Sequence, residues 1–431
     1  MAFVVKTAKT LRTHWKKSLF FSGLAAYGIK FVYDRHNDNL LRRRYCEEAK
    51  RYGDDRISLG HRPRRVTVFL NPAANGGKAR KLFEKTAAPI LYVAGLEVNV
   101  VPTEYEGQVK GFMSVLDTTD TDAVVVAGGN GTLLEAVTGF LRKEDRDFRE
   151  NIPVGVIPLG SSNRFSKIMF GHDHESVKAV AEAAIAVVRA VTKKVDVIKF
   201  DGGGEKVIYG LTGLEMGAFR DAEERKAKYW YFGPLKSRWT YLRTAMKEWP
   251  PLATADLSYI QATPENMAYE DEEAQGKAQK KKLGWSFTDF LFGRRQTYLV
   301  QEQALKAKLA EEEEKQRIEE KVSTTELTLT TTTLANPKAS LNALLVKLGP
   351  VEPTKTEVIQ EGWDRINRSA FKMGSDGDQT RVVKTVEITP SEETEWYNID
   401  GESFEAMKVN ISLLQKKLNF FCPSEVISAS R

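Results

Sequence analysis

Three times between Arg65 and Phe170, a short β-branched run ends in a turn rich in glycine and asparagine and gives way to apolar residues at helical spacing. The three stretches are "RVTVFLNPAANGGKARKLF", "VVVAGGNGTLLEAVTG" and "VGVIPLGSSNRFSKIMF". "LEVNVVPT" and "GQVKGFMSVL" supply one more strand and helix between them. Strands that alternate with helices predict a parallel sheet with right-handed crossovers. Ligands of such sheets bind beyond the carboxyl ends of the strands. The three turns, Asn71 to Lys78, Gly128 to Thr132 and Gly160 to Asn163, all fall there.

The middle turn is the sharpest. Val124 to Ala127 suits a strand buried on both faces, and Leu133, Leu134, Ala136, Val137 and Phe140 repeat as on a helix. Three glycines in four residues permit positive φ and close approach to the backbone. A helix N-terminus opening at such a turn attracts anions, phosphate above all. The alternative is a plain strand-to-helix turn that needs glycine only for its shape. Two familiar phosphate motifs are excluded. Lys78 is followed by Ala79, where a Walker loop needs serine or threonine, and Leu134 stands where a dinucleotide fingerprint needs its third glycine.

The 431 residues, 42% hydrophobic, suffice for two domains. Two cysteines, Cys46 and Cys422, exclude a disulfide framework and a cysteine zinc site. A net charge of +6 without a recognition motif gives no support to nucleic-acid binding. The first 33 residues carry Lys and Arg but no acid. That is the pattern of a mitochondrial targeting or anchoring segment. The apolar run Leu19 to Val32 is shorter than the about 20 residues that span a bilayer. It predicts a retained membrane-associated helix, the alternative being an ordinary surface helix. "LLRRRYCEEAKR" reads as a solvated, charged helix.

Beyond Lys194 the pattern turns β-rich, with "VDVIKF", "ADLSYIQAT", "VVKTVEIT" and "MKVNISLL" among the strands. One helix interrupts it, with Leu235, Trp239, Leu242, Met246 and Trp249 on one face. A charged insert from about 263 to 322 reads as a surface excursion.

The order of the motifs resembles the lipid-kinase family of diacylglycerol, ceramide and sphingosine kinases. "NPAANGGKARKLF" is similar to its Asn-Pro loop, "GGNGTLLEAVTG" to its Gly-Gly-Asp-Gly-Thr loop, "IPLGSSNRFS" to its third loop, and "IDGESF" to a C-terminal Asp-Gly-Glu. "VTVFLNPAA", "FEKTAAPIL", "AKYWYFGPLK" and "KEWP" resemble its mitochondrial acylglycerol kinase branch. The resemblance implies an α/β nucleotide-binding domain at 64–193 and a β-rich, sandwich-like lipid-binding domain at 194–431, its C-terminal end a candidate to return to the first. Residues 1–33 would be the membrane segment and 34–63 a charged helical linker. It implies transfer of the γ-phosphate of ATP, with Mg²⁺, to a mono- or diacylglycerol hydroxyl, giving lysophosphatidic or phosphatidic acid. It also implies the mitochondrial inner membrane facing the intermembrane space, and a link to the carrier translocase there.

Residue roles follow from the same resemblance. Gly128, Gly129, Asn130, Gly131 and Thr132 would hold the phosphates, with Glu135 in the same motif. Asn71, Gly76, Gly77 and Lys78 would flank the nucleotide, as would Gly160, Ser161 and Asn163. Asp400 would accept the proton of the lipid hydroxyl and Glu402 would support it or the metal. The alternative for Asp400 is an Asp-Gly hairpin turn. Asp221 would lie near the substrate hydroxyl, and the run "ERKAKYWYFGPLK" would either touch lipid head groups or pack as core.

The family has aspartate where this chain has Asn130. Asparagine keeps the size and one acceptor but loses the charge that helps hold Mg²⁺. Two function classes therefore stand: a working lipid kinase, or a kinase-weakened structural component of the inner-membrane carrier translocase.

Overall fold

The computed structural model describes residues 15–55, 62–171, 176–203, 207–246, 249–250, 252–267, 314–336, 339–368, 372–375, 377–391 and 395–424. Its first element is one long helix, α1 (Trp15–Gly53). Exposed Leu19, Phe20, Phe21, Leu24, Tyr27, Ile29, Phe31 and Val32 stand on its first half. None of the described helices is long and apolar enough to cross a membrane. Residues 1–14 of the expected membrane segment lie outside the described residues.

The second half of α1 is not the solvated linker expected from its charge. Ala49 is fully buried and Tyr45 and Cys46 pack on the core. Arg42 Nε donates to Thr86 Oγ1 at 3.0 Å, and Tyr45 Oη donates to Glu182 at 3.0 Å. Glu48 also pairs with Arg189, so the helix docks instead of floating.

The α/β part follows. β1 (Arg65–Leu70) leads through helical turns to α2 (Ala88–Val93) and β2 (Glu97–Pro102), then α3 (Gln108–Val115), β3 (Ala123–Gly128), α4 (Asn130–Arg142), β4 (Val154–Pro158), α5 (Arg164–Phe170) and α6 (Val177–Arg189). The strands lie parallel in the order β4-β3-β1-β2. Every residue of β3 and β4 is buried, as a sheet covered on both faces requires. The chain between β1 and β2 is helical with a π-turn at Phe83–Ala87, and closes on Gly95 at φ +74°.

The β-rich part comprises β5 (Thr192–Asp201), β6 (Val207–Gly210), β7 (Leu214–Gly217), α7 (Ala218–Arg225), a 3₁₀ stretch (Lys226–Leu235), α8 (Lys236–Ala245), β8 (Ala253–Gln261), β9 (Ile318–Thr324), β10 (Glu326–Thr331), β11 (Leu344–Leu348), α9 (Lys355–Asn367), β12 (Gln379–Pro390), β13 (Trp396–Ile399), β14 (Glu402–Glu405) and β15 (Val409–Phe421). Its pairings among β7, β10, β11, β12, β13 and β14 are antiparallel. Leu327 and Leu329 of β10 enter the apolar core with Leu214 and Met216 of β7.

β15 ties the two parts together. Its first half pairs with β12, it pairs with β5 from Asn410 to Phe421 with a register shift between Leu414 and Leu418, and Phe420 pairs parallel with Val154 of β4. Phe420 and Phe421 complete cores of the α/β part. The return of the chain end thus extends one sheet across both parts.

Two expectations are corrected. Helix α8 buries Thr240, Tyr241, Thr244 and Ala245, whereas Leu235 and Met246 of the predicted apolar face are exposed. The reason is α9, whose Gly362 lies so close to the Tyr241 ring that a Cβ there would be 2.4 Å from it. The charged insert also ends earlier than 322, because Ile318–Thr324 forms β9 against β8. Residues 268–313 of it lie outside the described residues.

Candidate active site

The three predicted turns converge at the carboxyl ends of β1, β3 and β4, and three asparagines fasten them. Asn71 Nδ2 donates to Thr132 Oγ1 at 3.0 Å, and its Oδ1 accepts the Ala73 N–H at 3.1 Å. Asn163 holds its own loop, donating to the Gly160 carbonyl at 2.7 Å and accepting the Gly160 N–H at 3.3 Å. Asn130 joins the second loop to the third. Its Nδ2 donates to Ser162 Oγ at 2.9 Å and its Oδ1 accepts the Arg164 N–H at 2.8 Å. Its own N–H donates to the Ser162 carbonyl at 3.2 Å. Asn130 is therefore a buried clasp whose amide uses both ends.

The glycines serve close approach. Gly129 has φ −103° and ψ −165°, open to any residue. A Cβ on Gly160 would lie 2.3 Å from the Gly129 Cα, and one on Gly128 would lie 2.6 Å from Thr132 Oγ1. The positive φ values fall instead in the first loop, at Asn75, Gly76 and Gly77. Gly76 and Gly77 face open space. Lys78 and Ser161 are exposed.

The β13–β14 hairpin carries the fourth motif to this cluster. Its turn places Asp400 at φ +53° and Gly401 at φ +97°, with Asn398 Oδ1 accepting the Gly401 N–H at 2.8 Å. Asp400 does not face the cleft. Its buried carboxylate accepts the N–H groups of Leu211 at 2.6 Å, Thr212 at 2.8 Å and Gly213 at 3.0 Å, and the Thr212 hydroxyl at 2.8 Å. Those bonds shape the β6–β7 turn, three of them on Oδ1 and one on Oδ2. The bonds give Asp400 a structural role that competes with its expected one as base.

Glu402 lies two residues on, at the start of β14. Gly401 packs on Asn130, where a Cβ would lie 2.1 Å from Nδ2, and Glu402 then reaches the start of α4. A Cβ on Gly131 would lie 2.8 Å from Glu402 Oε1. An anion at this 13-residue helix's N-terminus is electrostatically favoured. Burial pushes the Glu402 carboxyl above the usual range, the Gly131 N–H opposes this, and Glu106, Glu224 and Glu135 add to the rise.

Glu135 lies one turn further along α4. Burial raises the pKa of its carboxyl, and the nearby N–H groups of Gly107 and Val109 oppose the rise. Asp221 pairs with Arg220 at 3.0 Å and Arg225 at 3.1 Å. Buried Arg220 also donates to Ser403 Oγ on β14 at 2.7 Å, which links Asp221 to the hairpin that bears Glu402. Among the described residues no group of three or more His, Cys, Asp and Glu side chains could by itself hold a metal.

Sequence reasoning passed over Ser162, Arg164, Glu215 and Arg220. Arg164 Nη2 meets Glu215 Oε2 at 2.7 Å across the cleft, each side chain 14% exposed. A signal existed for Glu215, the one charge in the otherwise apolar strand "LEMG".

Known proteins match this architecture along its length. The family described as "Acylglycerol kinase C-terminal" matches residues 211–429, and "Diacylglycerol kinase catalytic domain" matches 65–200. A third, "Inner membrane protein import complex subunit Tim54", matches 14–114. The mitochondrial acylglycerol kinases of Pongo abelii and Homo sapiens are each 37% identical over 417 residues, which is 96% of this chain and 96% of theirs. A putative diacylglycerol kinase structure from Bacillus anthracis str. Sterne covers 85% of this chain and 100% of its own, at a TM-score of 0.52 and 18% identity, a likeness of fold. With loops, hairpin and nearly the whole length of both chains in agreement, the chain belongs to the acylglycerol kinase family, within the lipid kinases.

Proposed function

We propose that this lipid kinase transfers the γ-phosphate of ATP to the free hydroxyl of a mono- or diacylglycerol, giving lysophosphatidic or phosphatidic acid. The observation that carries the proposal is the close approach of the Glu402 carboxylate to Gly131 at the start of α4. A proton-accepting carboxylate and an anion-binding helix start share one small space. Residues 64–193 would hold the nucleotide and 194–431 the lipid.

Gly128, Gly129, Gly131 and Thr132 would meet the phosphates, flanked by Asn71, Gly76, Gly77, Lys78, Gly160, Ser161 and Asn163. In the transfer the lipid O–H bond breaks and Glu402 takes its proton. The freed oxygen bonds to the γ-phosphorus as the bond to the leaving oxygen of ADP breaks. Glu402 suits the task because burial raises its affinity for a proton. Asp221 would face the glycerol hydroxyls, held by Arg220 and Arg225. Mg²⁺ fits the donor set as an ion held chiefly by the phosphates, with Glu402 the nearby carboxylate, since Mg²⁺ commonly uses one or two protein carboxylates. It would supply charge neutralisation on the transferred group.

The test is Glu402→Gln in the purified chain. We expect turnover to fall about 10²–10⁴-fold with ATP affinity kept. Unchanged turnover would remove Glu402 from the chemistry.

A second reading rests on the Tim54 match over 14–114, which includes all of α1. There the chain is a component of an inner-membrane import complex, its kinase site weakened by neutral Asn130. The names of its relatives support a mitochondrial protein. We infer attachment to the inner membrane through residues 1–33, with the folded parts in the intermembrane space. Co-purification of the chain with carrier translocase subunits would support this second role.

A further inference from the structure

The second and third loops, Gly128–Thr132 and Gly160–Arg164, contain one cation, Arg164. Its backbone is fixed at the phosphate loop, because its N–H donates to Asn130 Oδ1 at 2.8 Å. Its guanidinium crosses the cleft to Glu215 on β7 at 2.7 Å. Glu215 lies directly opposite Thr328 of β10 in the antiparallel register. Side chains so paired share one face with Cβ atoms about 5 Å apart. Thr328 is fully buried, and its hydroxyl has no hydrogen-bond partner among the described residues. A buried hydroxyl without a partner carries a cost, and the Glu215 side chain opposite it could supply the acceptor it lacks. Asn130 matters here as well: it leaves the loop neutral, so a nearby guanidinium is not drawn into a pair with it.

We propose that Arg164 is a phosphate-binding residue with two alternative partners, Glu215 as seen here and the terminal phosphate of ATP, with the Thr328 hydroxyl taking over Glu215 when Arg164 moves. Guanidinium groups recognise phosphate by paired charge-assisted hydrogen bonds. The fixed Cα at the phosphate loop and the long side chain allow the exchange without movement of the backbone. The proposal rests on the nucleotide site described above and adds the group that tells ATP from ADP.

A simple structural clasp makes the opposite forecast, so nucleotide affinity separates the two. Dissociation constants for ATP and ADP are measured on the full chain by displacement of a fluorescent ATP analogue, alongside melting temperature. Arg164→Gln should weaken ATP by about ten- to a hundredfold and ADP by less than about threefold, the loss of a charge-assisted contact to the terminal phosphate. Arg164→Lys should recover part of the ATP preference. Glu215→Gln should tighten ATP severalfold, because it releases Arg164. Thr328→Val should weaken ATP, because Glu215 then keeps its hold. If Arg164→Gln and Glu215→Gln weaken ATP alike, or change ATP and ADP equally, the pair is only a clasp and the proposal is wrong. A native chain that binds neither nucleotide overturns this proposal and the kinase reading together. A chain that binds ATP but phosphorylates no acylglycerol overturns only the latter, and the ATP-to-ADP ratio of the variants still decides the role of Arg164.

Discussion

Asp400→Asn separates a structural aspartate from a chemical one. In the native chain Oδ1 accepts three bonds, from the Thr212 N–H, the Thr212 hydroxyl and the Gly213 N–H, and Oδ2 accepts the Leu211 N–H. The substitution leaves one acceptor oxygen. It turns an NH₂ group toward the Leu211 N–H, two donors face to face in a buried place. An unsatisfied buried donor costs about 1–3 kcal/mol, and three formerly charge-assisted bonds weaken as well. The sum is about 2–4 kcal/mol, using about 1 kcal/mol for the weakened bonds together. For a domain of this size that lowers the melting temperature by about 10 °C. Differential scanning calorimetry of both chains reads it, and turnover at a temperature where both are folded should fall only modestly. A variant that melts with the native chain yet loses turnover by orders of magnitude would return the proton to Asp400 and refute the argument.

Glu402 supplies a pH test. Its raised pKa keeps the proton on to a higher pH, so turnover should rise with pH along a limb centred above the ordinary glutamate value of 4.5. Since the folded state binds that proton more tightly than the unfolded chain, the stability it adds is present below the ordinary value and is lost as pH rises through the raised one. A profile without such a limb in the native chain counts against Glu402. Asn130→Asp should fold, because the Ser162 hydroxyl can reverse and donate while the Arg164 N–H bond is kept, and it should lower the Mg²⁺ needed for half-maximal turnover; an unchanged Mg²⁺ titration contradicts a metal role at 130. Gly160→Ala forces a Cβ to 2.3 Å from the Gly129 Cα, so the loops must part. Melting temperature and ATP affinity should both fall, by about 1–3 kcal/mol in stability. Removing residues 1–33 should release the chain from mitochondrial membranes, and a truncated chain that still resists carbonate extraction contradicts the anchor.

Much of the site was legible because its parts are local. Each phosphate-side loop is a strand, a turn and a helix within about twenty residues, and the parallel order puts such loops at one edge. The "NIDGE" stretch shows the limit. Two carboxylates stand two positions apart, and only the β6–β7 turn, 187 to 189 residues earlier in sequence, decides which is consumed in structure. The face of α8 failed for a similar reason. Its apolar stripe is periodic, but the partner α9 lies more than a hundred residues on and offers its glycine to Tyr241 instead. The charges of α1 read as solvated until Glu182 and Arg189 of α6 are placed beside them. Arg164 and Glu215 carry no motif at all, since only the closing of one part on the other makes them a pair.

The central claim is that this fold still catalyses phosphoryl transfer to a glycerolipid despite neutral Asn130. The most direct measurement is incubation of the purified full chain with monoacylglycerol vesicles and MgATP labelled at the γ-phosphate, with the lipid product identified by mass. A working kinase gives labelled lysophosphatidic acid from the native chain and nearly none from Glu402→Gln. No labelled lipid from a chain that is folded and binds ATP would contradict the central claim.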